Sequence, residues 1–250
     1  LLASDSSESI LPMVLHAAQL WQTWSRLTRI VKGSPDENMK KRNRGRDRDI
    51  DGMKAFIGAM HVVGARNAPK VVAAVNPGKA RNLIDVGGGS GTYTLAFLEA
   101  APDMKATIFD LPPVIEMARE RVEQAGMMDR VTLVPGNFYE DELPSGHDLA
   151  LLSAIIHQNS LEQNLDLYRK VFRSLNPGGR LVIRDHVMEP DRTRPVDGAM
   201  FAVNMLVNTP GGGTWTFDEI KDGLTKAGFT RINQLQSKGM FSLVEAFKPS

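Results

Sequence analysis

Apolar residues at Leu11, Val14, Leu15, Ala18, Trp21, Trp24, Leu27 and Ile30 recur every three or four positions. That spacing lays them along one face and predicts a helix from about Ile10 to Val31. Leu20 falls off the stripe. Trp21 and Trp24 stand three apart on the same face and are expected to pack together, against the core, a partner subunit or a pocket wall. Residues 33–51 are polar and turn-rich and include the basic run Lys40–Arg48, which lacks interleaved aromatics. A solvated linker is the expectation there, with a phosphate contact as the alternative. A second helical pattern spans about Met53 to Val75, is interrupted near Asn67-Ala68-Pro69, and is stopped by Pro77-Gly78.

Beyond Gly78 the rhythm changes to short apolar runs between amphipathic stretches. Strands are predicted at Asn82–Val86, Lys105–Phe109, Val131–Val134, Leu149–Ser153, Arg180–Arg184, Arg231–Leu235 and Phe241–Ala246. Helices of about 10–15 residues fit between the first five strands, the signature of βαβ units and a mostly parallel sheet covered on both faces. The last two strands follow each other across Ser237-Lys238-Gly239, which suggests an antiparallel C-terminal hairpin. The expected fold is α/β, with a mostly parallel seven-stranded sheet preceded by helices. Residues 1–75 read as a helical connector and residues 76–250 as the α/β unit. The chain starts at Leu1 in mid-pattern, so an N-terminal part is expected to be missing.

Composition narrows the function classes. The net charge of +1 gives no global attraction for nucleic acid or an anionic membrane. No apolar run approaches the ~20 residues that span a bilayer. The absence of cysteine excludes disulfides, thiolate metal sites and a cysteine nucleophile, and fits a reducing, cytoplasmic setting. No metal site is expected.

The strand Asn82–Val86 runs into Gly87-Gly88-Gly89-Ser90-Gly91-Thr92. Glycines at a strand-to-helix turn let the backbone bend sharply and approach a ligand closely, and the helix N-terminus offers free amides. A dinucleotide loop wants Gly-x-Gly-x-x-Gly, but Thr92 holds the third glycine's place, and the Lys of a phosphate-binding Walker loop is absent. Asp85, just before the glycines, would repel a pyrophosphate. A cationic, phosphate-free ligand tolerates it, and the amino group and sulfonium of S-adenosylmethionine fit that description. Asp110, about 20 residues beyond the loop at the end of the second strand, can accept both hydroxyls of a ribose. The alternative is that it caps the helix opening at Leu111-Pro112-Pro113. At the third strand end, Asn137 can bond an adenine edge and Phe138 can stack on its face, unless the segment is a plain turn with a core phenylalanine.

Six motifs, in order and spacing, resemble the O-methyltransferase family that includes plant caffeic acid and hydroxyindole O-methyltransferases and many bacterial members. They are Leu83–Thr92, Phe109–Pro112, Pro135–Phe138, Leu151–His157, Leu175–Ile183, and Asn204–Val207 followed by Pro210–Gly212. The resemblance runs from about Ile10 to the C-terminus. It implies a Rossmann-like class I methyltransferase fold, S-adenosylmethionine as cofactor and a small-molecule acceptor. It also implies a homodimer built through a largely missing N-terminal region, with no nucleic-acid or membrane partner. The cofactor contacts it implies are Asp85, Gly87, Gly88, Gly89, Asp110, Leu111, Asn137, Phe138 and Ser153.

His157 matches the family's catalytic histidine, which deprotonates the acceptor hydroxyl. Imidazole titrates near ~6.5, so a histidine can take a proton close to neutral pH. A structural histidine at a strand end is the alternative reading. Asp185 matches one of two acidic residues that flank the histidine in the plant enzymes, and the second falls at about Thr214. The family's His-Asp-Trp is His157-Gln158-Asn159 here, and its Gly-Asp-Phe is Gly136-Asn137-Phe138. His186, beside Asp185, is a substitute base or an exposed strand-end residue. Met60, Met200, Phe201, Met205 and Trp215 either line an apolar acceptor pocket or pack the core.

Overall fold

Period-two alternation decides where each strand residue goes. In the computed structural model, which describes residues 2, 9–33, 50–236 and 240–250, the apolar runs become strands, and those at the centre of the sheet are buried on both faces. β1 (Asn82–Val86), β2 (Lys105–Asp110), β3 (Val131–Pro135), β4 (His147–Ser153) and β5 (Leu175–Asp185) are mutually parallel. Two short strands follow, β6 (Val187–Met188) and β7 (Trp215–Thr216), and then β8 (Thr230–Gln236) and β9 (Ser242–Phe247). β9 runs antiparallel between β5 and β8, giving a seven-stranded sheet in the order β3-β2-β1-β4-β5-β9-β8. The basic run Lys40–Arg48 and the hairpin turn at Ser237–Gly239 lie outside the described residues.

Ile84, Val86, Ala150, Leu152, Leu181 and Ile183 pack into one core, and Leu83, Ile108, Leu149, Leu151 and Val182 into the other. The helices divide accordingly. α1 (Leu11–Trp24), α2 (Leu27–Val31), α3 (Ile50–Ala65) and α4 (Ala68–Val75) precede the sheet, and α5 (Thr92–Ala100) and α6 (Pro112–Gln124) link its first three strands. Residues of α4, α5 and α6 join the second core. α7 (Leu161–Ser174) and α9 (Phe217–Lys226) cover the first through Leu167, Tyr168, Val171, Ile220 and Leu224. Between them in sequence lies α8 (Val196–Asn208). The chain winds outward from β1 to β3, then returns to β4 beside β1. That reversal opens a crevice at the carboxyl ends of the strands, where α/β folds bind ligands.

Several expectations are corrected. The helix expected between β3 and β4 is absent, because Gly136, Pro144 and Gly146 break the short connection. The connection folds on polar bonds instead: the Asp141 carboxylate accepts from Asn137 N at 2.7 Å, and the buried Lys170 ammonium donates to the carbonyls of Phe138 (2.9 Å) and Asp141 (3.0 Å). β5 starts five residues before the predicted Arg180, its ladder with β4 shifting register between His147 and Leu149. The first helix breaks into α1 and α2 at Ser25-Arg26. Trp21 and Trp24 do not pack together. Trp24 donates its indole N–H to Asn204 Oδ1 at 3.0 Å, and Thr23 donates to Asn208 Oδ1 at 2.8 Å. These bonds to α8 turn Trp21 outward, 77% exposed.

Gly91 shows how tightly the strand-to-helix turn is built. Its φ is +78°, and a Cβ there would lie 2.9 Å from Ile108 Cδ1. Gly91→Ala is expected to cost about 1–3 kcal/mol through strain and crowding, read as a lower urea midpoint. An unchanged midpoint would contradict this packing.

Candidate active site

The loop after β1 owes its shape to glycine. Gly87 and Gly89 have φ of +69° and +58°, and a Cβ on Gly87 would meet Ile155 Cδ1 at 2.4 Å. Gly87 N donates to Phe109 O at 2.8 Å, which fixes the loop to the end of β2. Asp85 sits beneath this turn, 1% exposed, and accepts from the Thr94 hydroxyl at 2.7 Å. A Cβ on Gly88 would stand 3.0 Å from Asp85 Cγ. Asp85 therefore supports the loop from below and ties it to the first turn of α5. Burial raises its carboxyl to about 7, with the Thr94 hydroxyl opposing and the Asp110 charge adding.

Asp110 clasps the loop from the side. Its Oδ2 accepts from Gly89 N at 2.8 Å and its Oδ1 from Leu111 N at 2.7 Å. Leu111 is the N-cap of α6, so Asp110 ties the loop to the start of that helix, one oxygen on each. Each oxygen keeps lone-pair capacity for a ligand donor. Burial raises this carboxyl to about 6, against the Gly89 and Leu111 amides.

Along the same edge, Asn137 is buried. Its Oδ1 accepts from Tyr139 N at 3.1 Å, while its Nδ2 has no partner. A buried donor without a partner is costly, and a ligand acceptor at that place would satisfy it. Phe138 packs on Tyr139, ring centroids 4.5 Å apart, and lies 3.7 Å from where a Gly87 Cβ would be. A glycine cradle, an acceptor pair at Asp110 and an orphan amide beside an aromatic face together fit an adenosine-bearing group. Ser153, at the end of β4, accepts from Arg184 Nη1 at 3.3 Å. Arg184 is itself buried and lies over the rings of Phe241 (3.7 Å) and Tyr93 (5.0 Å).

His157 follows β4 on the short turn Ile156–Gln158, opposite the end of β5. Its Nδ1 is 2.8 Å from Oδ1 of the fully buried Asp185. The carboxylate can only accept, so Nδ1 carries a proton, and in the neutral ring that tautomer leaves Nε2 as an acceptor. Burial alone would raise Asp185, but the His157 charge and hydrogen bond, with His186 behind them, hold it below the usual carboxylate range. Thr214 is buried and its carbonyl accepts from Arg192. Among the described residues Asp185 is the one carboxylate bonded to the His157 ring.

His186 is buried, not exposed. It stacks on Phe201 at 4.2 Å and tilts against Phe241 at 4.6 Å. Burial lowers it to about 4, with Asp185 opposing and His157 and Arg184 adding, so the ring is neutral near pH 7. Phe201 also sets its edge against His157 at 4.8 Å. Of the other expected pocket residues, Met205 is buried, Met60 and Met200 are exposed, and Trp215 donates to Ile156 O at 2.9 Å. β6 and β7, which were not expected, bring Trp215 to the His157 turn.

The sequence reading missed the groups that hold this edge together. Asn159 is fully buried, bonded by the Tyr139 hydroxyl, and donates to Asn164 Oδ1 at 3.0 Å, while Asn164 donates to Ile156 O at 2.9 Å. That chain of amides pins the turn carrying His157. No local pattern marks such partners. Among the described residues no cluster of three or more His, Asp or Glu could hold a metal ion, and no helix is long and apolar enough to cross a membrane.

The model of the O-methyltransferase domain family matches residues 40–230. Over 214 residues the chain is 31% identical to a 3-hydroxy-5-methyl-1-naphthoate 3-O-methyltransferase of Streptomyces sahachiroi, covering 85% of this chain and 62% of that protein. It thus spans about three-fifths of that relative's length. It is 35% identical over 158 residues to the aclacinomycin 10-hydroxylase RdmB of Streptomyces purpurascens, covering 63% and 42% of the two chains. Among solved structures it is similar to PigF with SAH, at 25% identity and a TM-score of 0.85, over 99% of this chain and 76% of that one.

The raised Asp85 has a consequence for stability. Its folded value, about 7, lies above the ordinary 3.8. The folded chain therefore holds a proton that the unfolded chain releases, and stability falls as pH rises from 3.8 through about 7. Asp85→Asn keeps an acceptor for Thr94 and removes the buried charge. It is expected to raise the urea midpoint at pH 8, on the order of a few kcal/mol, with little gain at pH 4. A pH-independent difference would contradict the assignment.

Proposed function

The chain belongs to the O-methyltransferase domain family, and on that premise we propose that it moves a methyl group from S-adenosylmethionine to a hydroxyl of a small aromatic or polyketide-like acceptor. The observation that carries the reading is the His157–Asp185 pair on the same sheet edge as the glycine loop and Asp110. S-adenosylmethionine supplies an electrophilic methyl group. Asp110 would accept from the ribose hydroxyls, the Gly87–Gly89 backbone would line the methionine side, and Asn137 Nδ2 with Phe138 would hold the adenine.

His157 Nε2 would take the acceptor's proton as its oxygen gains the methyl group. Asp185 would fix the ring's tautomer and steady the imidazolium that forms; proton removal by such a base is worth about 10²–10⁴ in rate. The neutral His186 and Phe201 beside it would give the acceptor an apolar wall. The naphthoate relative's name supports a flat hydroxylated acceptor. This reading includes a homodimer in the cytoplasm, with residues 1–75 as the connector to a dimerisation region and residues 76–250 as the cofactor-binding unit.

A second reading keeps the cofactor and drops methyl transfer, and the relative named as a hydroxylase favours it. Incubation with methyl-labelled S-adenosylmethionine and a panel of hydroxylated naphthoates separates the two: the first predicts label in the acceptor, the second none. For the first, His157→Ala should lower kcat by about 10²–10⁴ and leave S-adenosylhomocysteine affinity nearly unchanged. Asp110→Ala should weaken that affinity. Undiminished turnover in the histidine variant would remove His157 from the role of base.

A further inference from the structure

α3 turns one face toward the glycine loop. Met53 and Ile57 pack with Leu111, Val114 and Met117. Ile57 Cδ1 lies 4.0 Å from where a Gly89 Cβ would be, and a Cβ on Gly64 would meet Thr92 Cγ2 and Tyr93 at 3.4 Å. Between these apolar contacts stands His61. Its Nδ1 is 2.8 Å from Thr92 Oγ1, and its Nε2 is 3.0 Å from Arg121 Nη1 on α6.

The partners settle the proton. A guanidinium has only donors, so Nε2 must accept, and Nδ1 must therefore carry the hydrogen and donate to Thr92. The ring is then neutral and bonded at both ends. Burial, with the Arg121 charge adding, lowers it to about 4, in keeping with that state. Thr92 closes the glycine loop, and its hydroxyl also lies 3.3 Å from Ser90 Oγ. One imidazole thus joins three elements that meet around the loop: α3 above it, α5 leaving it, and α6, which starts at the Asp110–Leu111 corner.

We propose that His61 is a positioning residue that latches α3 over the cofactor loop, so that each of its two hydrogen bonds tightens the hold on the cofactor. The proposal rests on reading that loop as the S-adenosylmethionine site. The bond from a charged donor is the stronger of the two, and losing it leaves Arg121, whose Nε already lacks a partner, without its acceptor. Gln at position 61 can present both a donor and an acceptor. Leu can present neither.

The test is calorimetric titration with S-adenosylhomocysteine, joined to amide hydrogen exchange across α3 with and without that ligand. In the unmodified chain the ligand should bind and slow exchange over residues 57–64. His61→Leu should weaken binding roughly tenfold and abolish the ligand-dependent protection, and His61→Gln should restore most of both. Arg121→Met, which leaves α3 itself intact, should give an intermediate loss and stands in if the leucine variant fails to fold. Affinity and protection equal to the unmodified chain in His61→Leu or Arg121→Met would overturn the latch, as would equal losses in the leucine and glutamine variants. An unmodified chain that does not bind S-adenosylhomocysteine would overturn the cofactor reading itself, and the latch with it.

Discussion

The site depends on one backbone constraint: the chain must leave β1 and enter α5 within a few residues, through three glycines in the left-handed region. Side chains with a Cβ resist that conformation, and at Gly87 and Gly91 one would also press on the side-chain tips of Ile155 and Ile108. The turn is then pinned by carboxylates on two sides. Asp85 bonds Thr94 from beneath, and Asp110 takes the Gly89 and Leu111 amides from the side. Both acids pay for burial with raised values, about 7 and about 6. Each offsets that cost by bonding the segment it holds, Thr94 for Asp85 and the Gly89 and Leu111 amides for Asp110.

The reversal of strand order then places chemistry beside this loop. β1 and β4 are neighbours in the sheet although two strands separate them in the chain. The ends of β4 and β5 therefore bring His157 and Asp185 to the edge that carries the glycines. A buried carboxylate held low by an imidazole, and an imidazole held in one tautomer by that carboxylate, form a pair in which each explains the other's state. His186, two ring widths away, is kept neutral by the same burial.

Much of this was legible in the chain. Short continuous apolar runs along Asn82–Val86 and Leu149–Ser153 reveal strands buried on both faces, and the glycines with Asp110 reveal the ligand edge. Periodicity marks an apolar face without saying what covers it, which is why Trp21 and Trp24 read as a pair although bonds from Thr23 and Trp24 to α8 separate them. The β3–β4 connection read as helical because its neighbours are, while its own Gly136, Pro144 and Gly146 dictate a turn. The polar clamps are invisible for a different reason. His61 meets partners 31 and 60 residues away, and Tyr139 reaches Asn159 twenty residues on. Such contacts exist only once the sheet has brought the elements together.

The central claim is that the Asp110-clasped glycine loop holds S-adenosylmethionine. Backbone ¹⁵N NMR of the unmodified chain tests it most directly, because the Gly89 and Leu111 amides both donate to the carboxylate assigned to the ribose. Adding S-adenosylmethionine should shift these two amides, together with the Asn137 side-chain amide, saturably, and adding NAD should leave them in place. Shifts induced by NAD, with none from S-adenosylmethionine, would contradict the account.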